Sequence, residues 1–344
     1  MSRLIAYRPR YLPISVRVST RVPVVLIVLI VLTFLLAIVS LGVGAVYVPP
    51  ADVVRAVLGR SDDSFIVNDL RAPRICIALV AGVALGTSGT ILQGLTRNPL
   101  AAPEIIGITA GANVAAVIVA ILYPSISLAL LPVAAFAGAV VATGLVYVLA
   151  WRGELSPTRL ILVGIGITLV GQAVTAGIID FAPVFRVTRV IGWLSGSVYG
   201  KGWADLLPSA IWIAIVLPVV FVFARRLDVL QLGPEVARGL GLRLDRSRVL
   251  LLIASVALAA AAVAMAGPVG FVGLLTPHIS RFLVPNMHVG LLPVAGLVGA
   301  NMVLFADTLG RTVFAPIEIP VGVVTAVVGV PYFLFLLFRM QPGR

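Results

Sequence analysis

The sequence predicts an all-α integral membrane protein with ten transmembrane helices. Three observations carry this: 60% of the 344 residues are hydrophobic, only 11% are charged, and the mean hydropathy is +1.15. Soluble domains carry charge on roughly a quarter of their residues, and a soluble chain of this length needs more polar surface than these residues supply.

Crossing a bilayer core takes about 20 apolar residues in helix. Stretches free of Asp, Glu, Lys and Arg run over 22–51, 75–96, 105–151, 160–179, 206–224, 249–280, 282–306 and 319–338. Two are long enough for a pair of helices. One breaks at Tyr123-Pro124-Ser125 and the other at Gly267-Pro268-Val269-Gly270, where Pro and Gly punctuate a helix. Eight stretches with two divided make ten spans, so both termini lie on one side. The first apolar run is about twice the ~7–15 residues of a signal-peptide core, which reads as an anchor that is retained.

The arginines give the sidedness. With the N-terminus inside, the inner segments hold seventeen basic residues and five acids, and the outer segments hold eight of each. The whole net charge of +12 is therefore cytoplasmic. The chain reads as one transmembrane domain, 1–344, with a cytoplasmic N-terminal tail (1–21) and a long cytoplasmic loop (225–248). No soluble basic surface is left to hold nucleic acid, so the bilayer is the expected partner of most of the chain.

Composition also excludes chemistry. The single cysteine, Cys76, permits no intrachain disulfide and reads as a small buried hydrophobe. His278 and His288 are too few for a metal cluster or an HExxH site, and there is no GxSxG elbow. Asp180, Asp307 and Glu318 fall near outer ends of spans and Glu104 on an inner segment, so mid-bilayer carboxylates of the kind ion-coupled transport uses are not expected. His278 reads as a packing residue. Small residues are frequent instead, as in Gly82-xxx-Gly86, Gly107-xxx-Gly111 and the alanines between 254 and 266. They let helices approach closely.

A chain that moves cargo uphill without internal ion ligands must draw on another energy source. A phosphate loop needs a lysine, and the only one is Lys201, in the outward Gly200-Lys201-Gly202. The chain cannot itself be the ATPase. Its largest cytoplasmic segment runs Leu232-Gly233-Pro234-Glu235-Val236-Ala237-Arg238-Gly239-Leu240-Gly241. It predicts a short helix opened by Pro234 and stopped at Gly239, with a second short helix after Gly241.

These residues, with others, resemble the FecCD-type permeases of bacterial ABC importers. The resemblance lies in Arg71-Ala72-Pro73-Arg74, in Gly89 to Gly94 followed by Thr96-Arg97-Asn98-Pro99-Leu100-Ala101, and in Gly267-Pro268-Val269-Gly270-Phe271-Val272-Gly273-Leu274. It continues through Pro277-His278-Ile279-Ser280-Arg281, Ala306-Asp307-Thr308, Arg311, Glu318 to Thr325, and Gly329-Val330-Pro331. It runs in order from residue 71 to the C-terminus. What it implies is a type II ABC importer permease in the cytoplasmic membrane, a two-fold dimer, expected as a homodimer rather than a heterodimer. Two ATPase subunits beneath it would bind ATP and Mg, with no cofactor in this chain, and an extracytoplasmic substrate-binding protein would dock above. Carried over by position, Gly233, Glu235, Ala237, Arg238, Gly239 and Gly241 form the ATPase-coupling segment. Asn98, Pro99, Leu100, Ser156 and Thr158 form the cytoplasmic gate, where Pro157 departs from the polar residue of many relatives. Arg55, Arg60 and Arg311 would meet the binding protein. The implied cargo is a ferric siderophore, with haem, cobalamin and an oxyanion such as molybdate as alternatives.

Overall fold

The computed structural model describes residues 4–7, 16–152 and 154–339. Arg3, Arg8, Arg10 and Arg344, and much of the tail expected over 1–21, lie outside the described residues. The chain is helical almost throughout. Its helices are α1 (Arg21–Gly42), α2 (Pro50–Val57), α3 (Ala72–Thr96), α4 (Ile108–Val117), α5 (Leu131–Ala150), α6 (Pro157–Asp180) and α7 (Val184–Leu194). There follow α8 (Trp203–Gln231), α9 (Pro234–Gly239), α10 (Leu244–Ala266), α11 (Val272–Leu283), α12 (His288–Gly310) and α13 (Val321–Arg339). Two small antiparallel hairpins, β1 (Leu4–Tyr7) with β2 (Val16–Ser19) and β3 (Trp151–Arg152) with β4 (Glu154–Leu155), were not expected from the sequence.

Eight helices are long and apolar enough to cross a membrane. The third and eighth expected spans are present but shorter. α4 continues through a wider turn to Leu122, giving Ile108–Leu122. α11 has only 12 residues, about 18 Å of helix against a core of about 30 Å. Both predicted breaks are where the sequence puts them: one helix ends at Leu122 before Tyr123-Pro124, and α10 ends at Ala266 before Gly267-Pro268.

α3, α10 and α12 form the buried centre, while α1, α6, α8 and α13 expose most of their apolar side chains. The small residues explain how the centre closes. A Cβ on Gly82 would stand 2.2 Å from the Gly299 carbonyl oxygen, and one on Gly89 would stand 1.8 Å from that of Gly273. α3 therefore meets α12 and α11 backbone to backbone, which only glycine permits. Cys76 is only partly buried at the edge of this core.

Candidate coupling helix, gate and outer face

The inner end of α8 passes through Gly233 into α9. Gly233 has φ 102° and ψ 159°, a region open essentially to glycine alone, and this lets the chain turn sharply. Pro234 then takes the first helical position, where its missing N–H is no loss. Ala237 is fully buried and pins α9 to the bundle. The stop is not at Gly239, which is still helical. It is at Gly241, with φ 79°: the Leu242 amide donates to the Ala237 carbonyl at 3.0 Å, and the Gly241 amide to that of Arg238 at 2.9 Å. These two bonds make a Schellman closure. No separate short helix follows Gly241; α10 begins at Leu244 and runs straight into the membrane.

Glu235 and Arg238 are exposed on α9. So are Leu232, Val236 and Leu240 (59, 50 and 64%). Leu232 lies just before the Gly233 turn, Val236 within α9 and Leu240 at its C-terminal cap. These exposed apolar residues were not singled out from the sequence.

The expected gate residues lie at the end of α3 and the start of α6. Arg97 ends α3 at φ 52°. Asn98 Oδ1 accepts the Leu100 amide at 2.9 Å, which tightens the turn around Pro99. Ser156 precedes α6, Pro157 is its first residue and Thr158 its second. Pro157 thus fits as a helix starter. Arg97 reaches from this turn to α9, its Nη1 within 3.7 Å of the Cβ position of Gly233.

At the end of the bundle away from α9, Arg55 lies on α2 with its side chain 68% exposed, pairing with Asp52 at 3.2 Å. Arg60 is exposed in the turn that follows. Arg311 is not exposed like these two. Its side chain is only 4% exposed, and it turns inward to donate to the backbone and side-chain oxygens of Ser40 on α1. Burial pulls its guanidinium down to about 10, with Asp307 the main opposing influence. It remains charged at neutral pH and is spent on the junction of α1 and α12, so its side chain differs from the exposed arginines Arg55 and Arg60.

The hub of that junction is Arg74. It donates to both oxygens of Asp307 (2.8–3.1 Å) and to Glu318 Oε2 at 2.7 Å. Asp307 is sealed, and Arg74 is 11% exposed. The outer ends of α1, α3 and α12 and the approach to α13 are thereby tied by one ionic cluster. A cavity of about 500 Å³ lies over it, lined by Arg71, Arg74, Lys201, Arg311, Asp69 and Glu318 among others. Its cations are answered from within: Arg71 by the Leu41 and Val46 carbonyls, Lys201 by Asp205.

Two further groups differ from expectation. His288, the first residue of α12, is fully buried, and its Nδ1 meets Asp228 on α8 at 2.6 Å. Glu104 is not on an exposed segment: both of its carboxyl oxygens are inaccessible to solvent, and they face the backbone amides of Glu104 and Phe271. Its carbonyl accepts from Thr168 Oγ1 at 3.4 Å. Thr168 lies eleven residues into α6, about 16 Å along it, so the carboxyl is sealed near mid-depth. His278 packs edge-on against Phe282 and Tyr332, with centroids 4.9 and 5.7 Å away. Among the described residues no cluster of three His, Cys, Asp or Glu could hold a metal.

Among the described residues, eight helices long and apolar enough to cross a membrane, with shorter apolar helices beside a glycine-lined centre, define a multi-pass membrane protein. The chain belongs to the FecCD transport family, which it matches over residues 20–339, and that family consists of transport permeases rather than catalytic enzymes. It is 43% identical over 326 residues to the "Probable siderophore transport system permease protein YfhA" of Bacillus subtilis (strain 168), covering 92% of this chain and 95% of that protein. It is 40% identical over 326 residues to the "Fe(3+)-citrate import system permease protein YfmE" of the same organism, covering 94% and 97%. Among solved structures, a metal-chelate type ABC transporter in an inward-facing conformation superposes with a TM-score of 0.81 at 30% identity, covering 93% of this chain and all of that one.

Proposed function

We propose that this chain is the permease subunit of an ATP-driven importer that carries a ferric siderophore across the cytoplasmic membrane, with both termini inside. Two copies would form the passage, and two partner ATPases holding ATP and Mg would drive it. The observation that carries the reading is α9: a pinned, Schellman-closed helix that exposes Val236 beside Glu235 and Arg238, with exposed Leu232 before it and Leu240 at its end. Exposed apolar side chains clustered outside the spans mark partner contacts. On this reading α9 seats in the ATPase, and Arg97 relays its displacement to Asn98-Pro99-Leu100 at the gate, with Ser156 and Thr158 opposite. Gly233 and Gly241 set the lever's two ends, and Gly239 completes its last turn. Arg55 and Arg60 meet acidic side chains of the substrate-binding protein, since arginine holds carboxylates bidentately and stays charged when partly desolvated. Iron chelates rank above haem, cobalamin and molybdate because the relatives described above are a siderophore and an iron-citrate permease.

The test is uptake by vesicles holding the permease, its ATPase and its loaded binding protein. Radiolabelled ferric siderophore should accumulate only with ATP, and haem or cobalamin should not; preferential haem or cobalamin uptake would overturn the cargo assignment. Glu104 favours a second reading, an ion-coupled carrier, because a sealed mid-depth carboxyl is costly. Glu104→Gln separates the two: retained uptake supports ATP drive, and loss of uptake with intact folding supports ion coupling.

A further inference from the structure

α5, α8 and α10 leave a groove open on the membrane-facing side. It has a volume of about 390 Å³ and is floored by Val256 and Ala257 and walled by Val140, Tyr147, Trp212 and Ile253. Three of these are well exposed: Val140 at 44%, Trp212 at 42% and Ile253 at 59%. Aromatic pairs bound it at both ends. Phe136 and Trp212 pack edge to face at 5.5 Å across its top, bridging α5 to α8. Tyr147 and Trp151 pack at 5.5 Å at its foot, where α5 ends. Trp212 is held in place by donating Nε1–H to the Ala257 carbonyl at 3.2 Å.

Length and charge identify an occupant. Phe136 and Tyr147 are eleven residues apart on α5, about 16 Å of helix, which is half of a ~30 Å hydrocarbon core. The groove is thus one leaflet deep. Tyr and Trp at its foot suit the membrane–water interface. Around that foot stand three arginines from three elements. Arg152 follows the end of α5 and is exposed. Arg246 lies seven residues before Ile253 on α10, on the same helical face, and is exposed. Arg226 on α8 is half-buried, stacked 4.4 Å over the Phe223 ring, and donates to Ser247 Oγ at 3.4 Å. The acids nearest in the chain are Asp245 at the start of α10, Asp228 on α8, which meets His288, and Glu154, opposite Arg152 in the β3–β4 hairpin. A second compartment above Phe136 and Trp212, of about 200 Å³, is lined by Pro132, Val133, Pro208 and the alanines 261 and 264, among others, with no basic residue.

We propose that this groove is a binding site for an anionic phospholipid of the leaflet on the α9 side. One acyl chain lies along α10 beneath Trp212, and the phosphate sits among Arg152, Arg226 and Arg246. Arginine suits phosphate through its planar fork of donors. An apolar chain in an apolar groove half the depth of the membrane leaves the headgroup level with the arginines.

The test uses the full-length permease in nanodiscs and tryptophan quenching by lipids brominated near the chain end. The contribution of Trp212 is taken as the difference between the native chain and Trp212→Phe. Brominated phosphatidylglycerol should occupy the site with roughly fivefold preference over equally brominated phosphatidylcholine, and so quench Trp212 more. Arg226→Gln with Arg246→Gln should equalise the two lipids. Gly144→Phe should protect Trp212 from both, because nothing stands within 4 Å of a Cβ built on Gly144 and the new ring fills the groove. Equal quenching by the two lipids in the native chain would overturn the proposal, as would a phosphatidylglycerol preference that survives loss of the arginines. If Gly144→Phe fails to fold, the arginine pair, which lies outside the helical core, still decides the matter.

Discussion

Arg97 lays its guanidinium against Gly233, with Nη1 3.7 Å from the position a Cβ would take on that glycine. The residue that ends α3 therefore stands beside the residue that opens α9, and the two expected functional segments are neighbours. A side chain on Gly233 would meet Arg97 and would also have to adopt φ 102°. Gly233→Ala should cost about 1–3 kcal/mol of local strain, relieved by displacing α9 rather than by unfolding the bundle. The expected result is a thermal unfolding temperature close to native with a marked loss of ATPase retained on the purified permease.

The Arg74–Asp307–Glu318 cluster predicts a stability effect. Asp307→Ala leaves Arg74 and Arg311 without their sealed carboxylate, and removing one partner of a buried pair costs about 3–5 kcal/mol. Arg74→Leu combined with Asp307→Leu should cost less than either alone, because no orphan charge remains on that pair. Thermal unfolding of the native chain and the four variants (Asp307→Ala, the two single leucine substitutions and their combination) in one detergent checks both statements.

Close backbone contact makes a contrasting pair of glycines. Gly82→Ala drives a methyl into the Gly299 carbonyl 2.2 Å away, whereas a Cβ on Gly177 meets nothing within 4 Å. The first substitution should sharply reduce the yield of folded protein. Gly177→Ala should be neutral or stabilising by about 0.5–1 kcal/mol, since alanine loses less freedom in a helix.

The outer arginines separate into two kinds. Reversing the exposed pair, Arg55→Glu with Arg60→Glu, should slow association with the binding protein and weaken its salt dependence, leaving unfolding unchanged. Arg311→Gln should instead lower the unfolding temperature while leaving the salt dependence of docking as it was. Surface binding measured over a salt series, beside thermal unfolding, distinguishes them.

Much of the fold was legible because the bilayer sets element lengths so tightly. Charge-free stretches marked the spans, and Pro124 and Pro268 marked both breaks. Less was legible where a residue's neighbours come from distant sequence. Arg311 reads as an outer-face cation until Ser40, from α1, proves to be its partner. Arg74 was visible only as part of a motif, because Asp307 and Glu318 lie more than 230 residues away. Glu104 follows a cytoplasmic-looking Asn-Pro turn, and nothing local announces that the chain dips back against α6. At Gly239 the local rule misled: glycine stops a helix where it takes positive φ, and that position is Gly241.

The central claim is that this chain supplies the passage and a partner supplies the drive through α9. The most direct measurement is uptake of radiolabelled ferric siderophore by vesicles containing the permease with its ATPase and binding protein, for the native chain and for Val236→Asp, which replaces the exposed apolar side chain of α9 by a charge. ATP-dependent accumulation by the native chain, and its loss in the well-folded variant, is the predicted result. Accumulation that continues undiminished in the variant, or that the permease achieves without any ATPase, would contradict it.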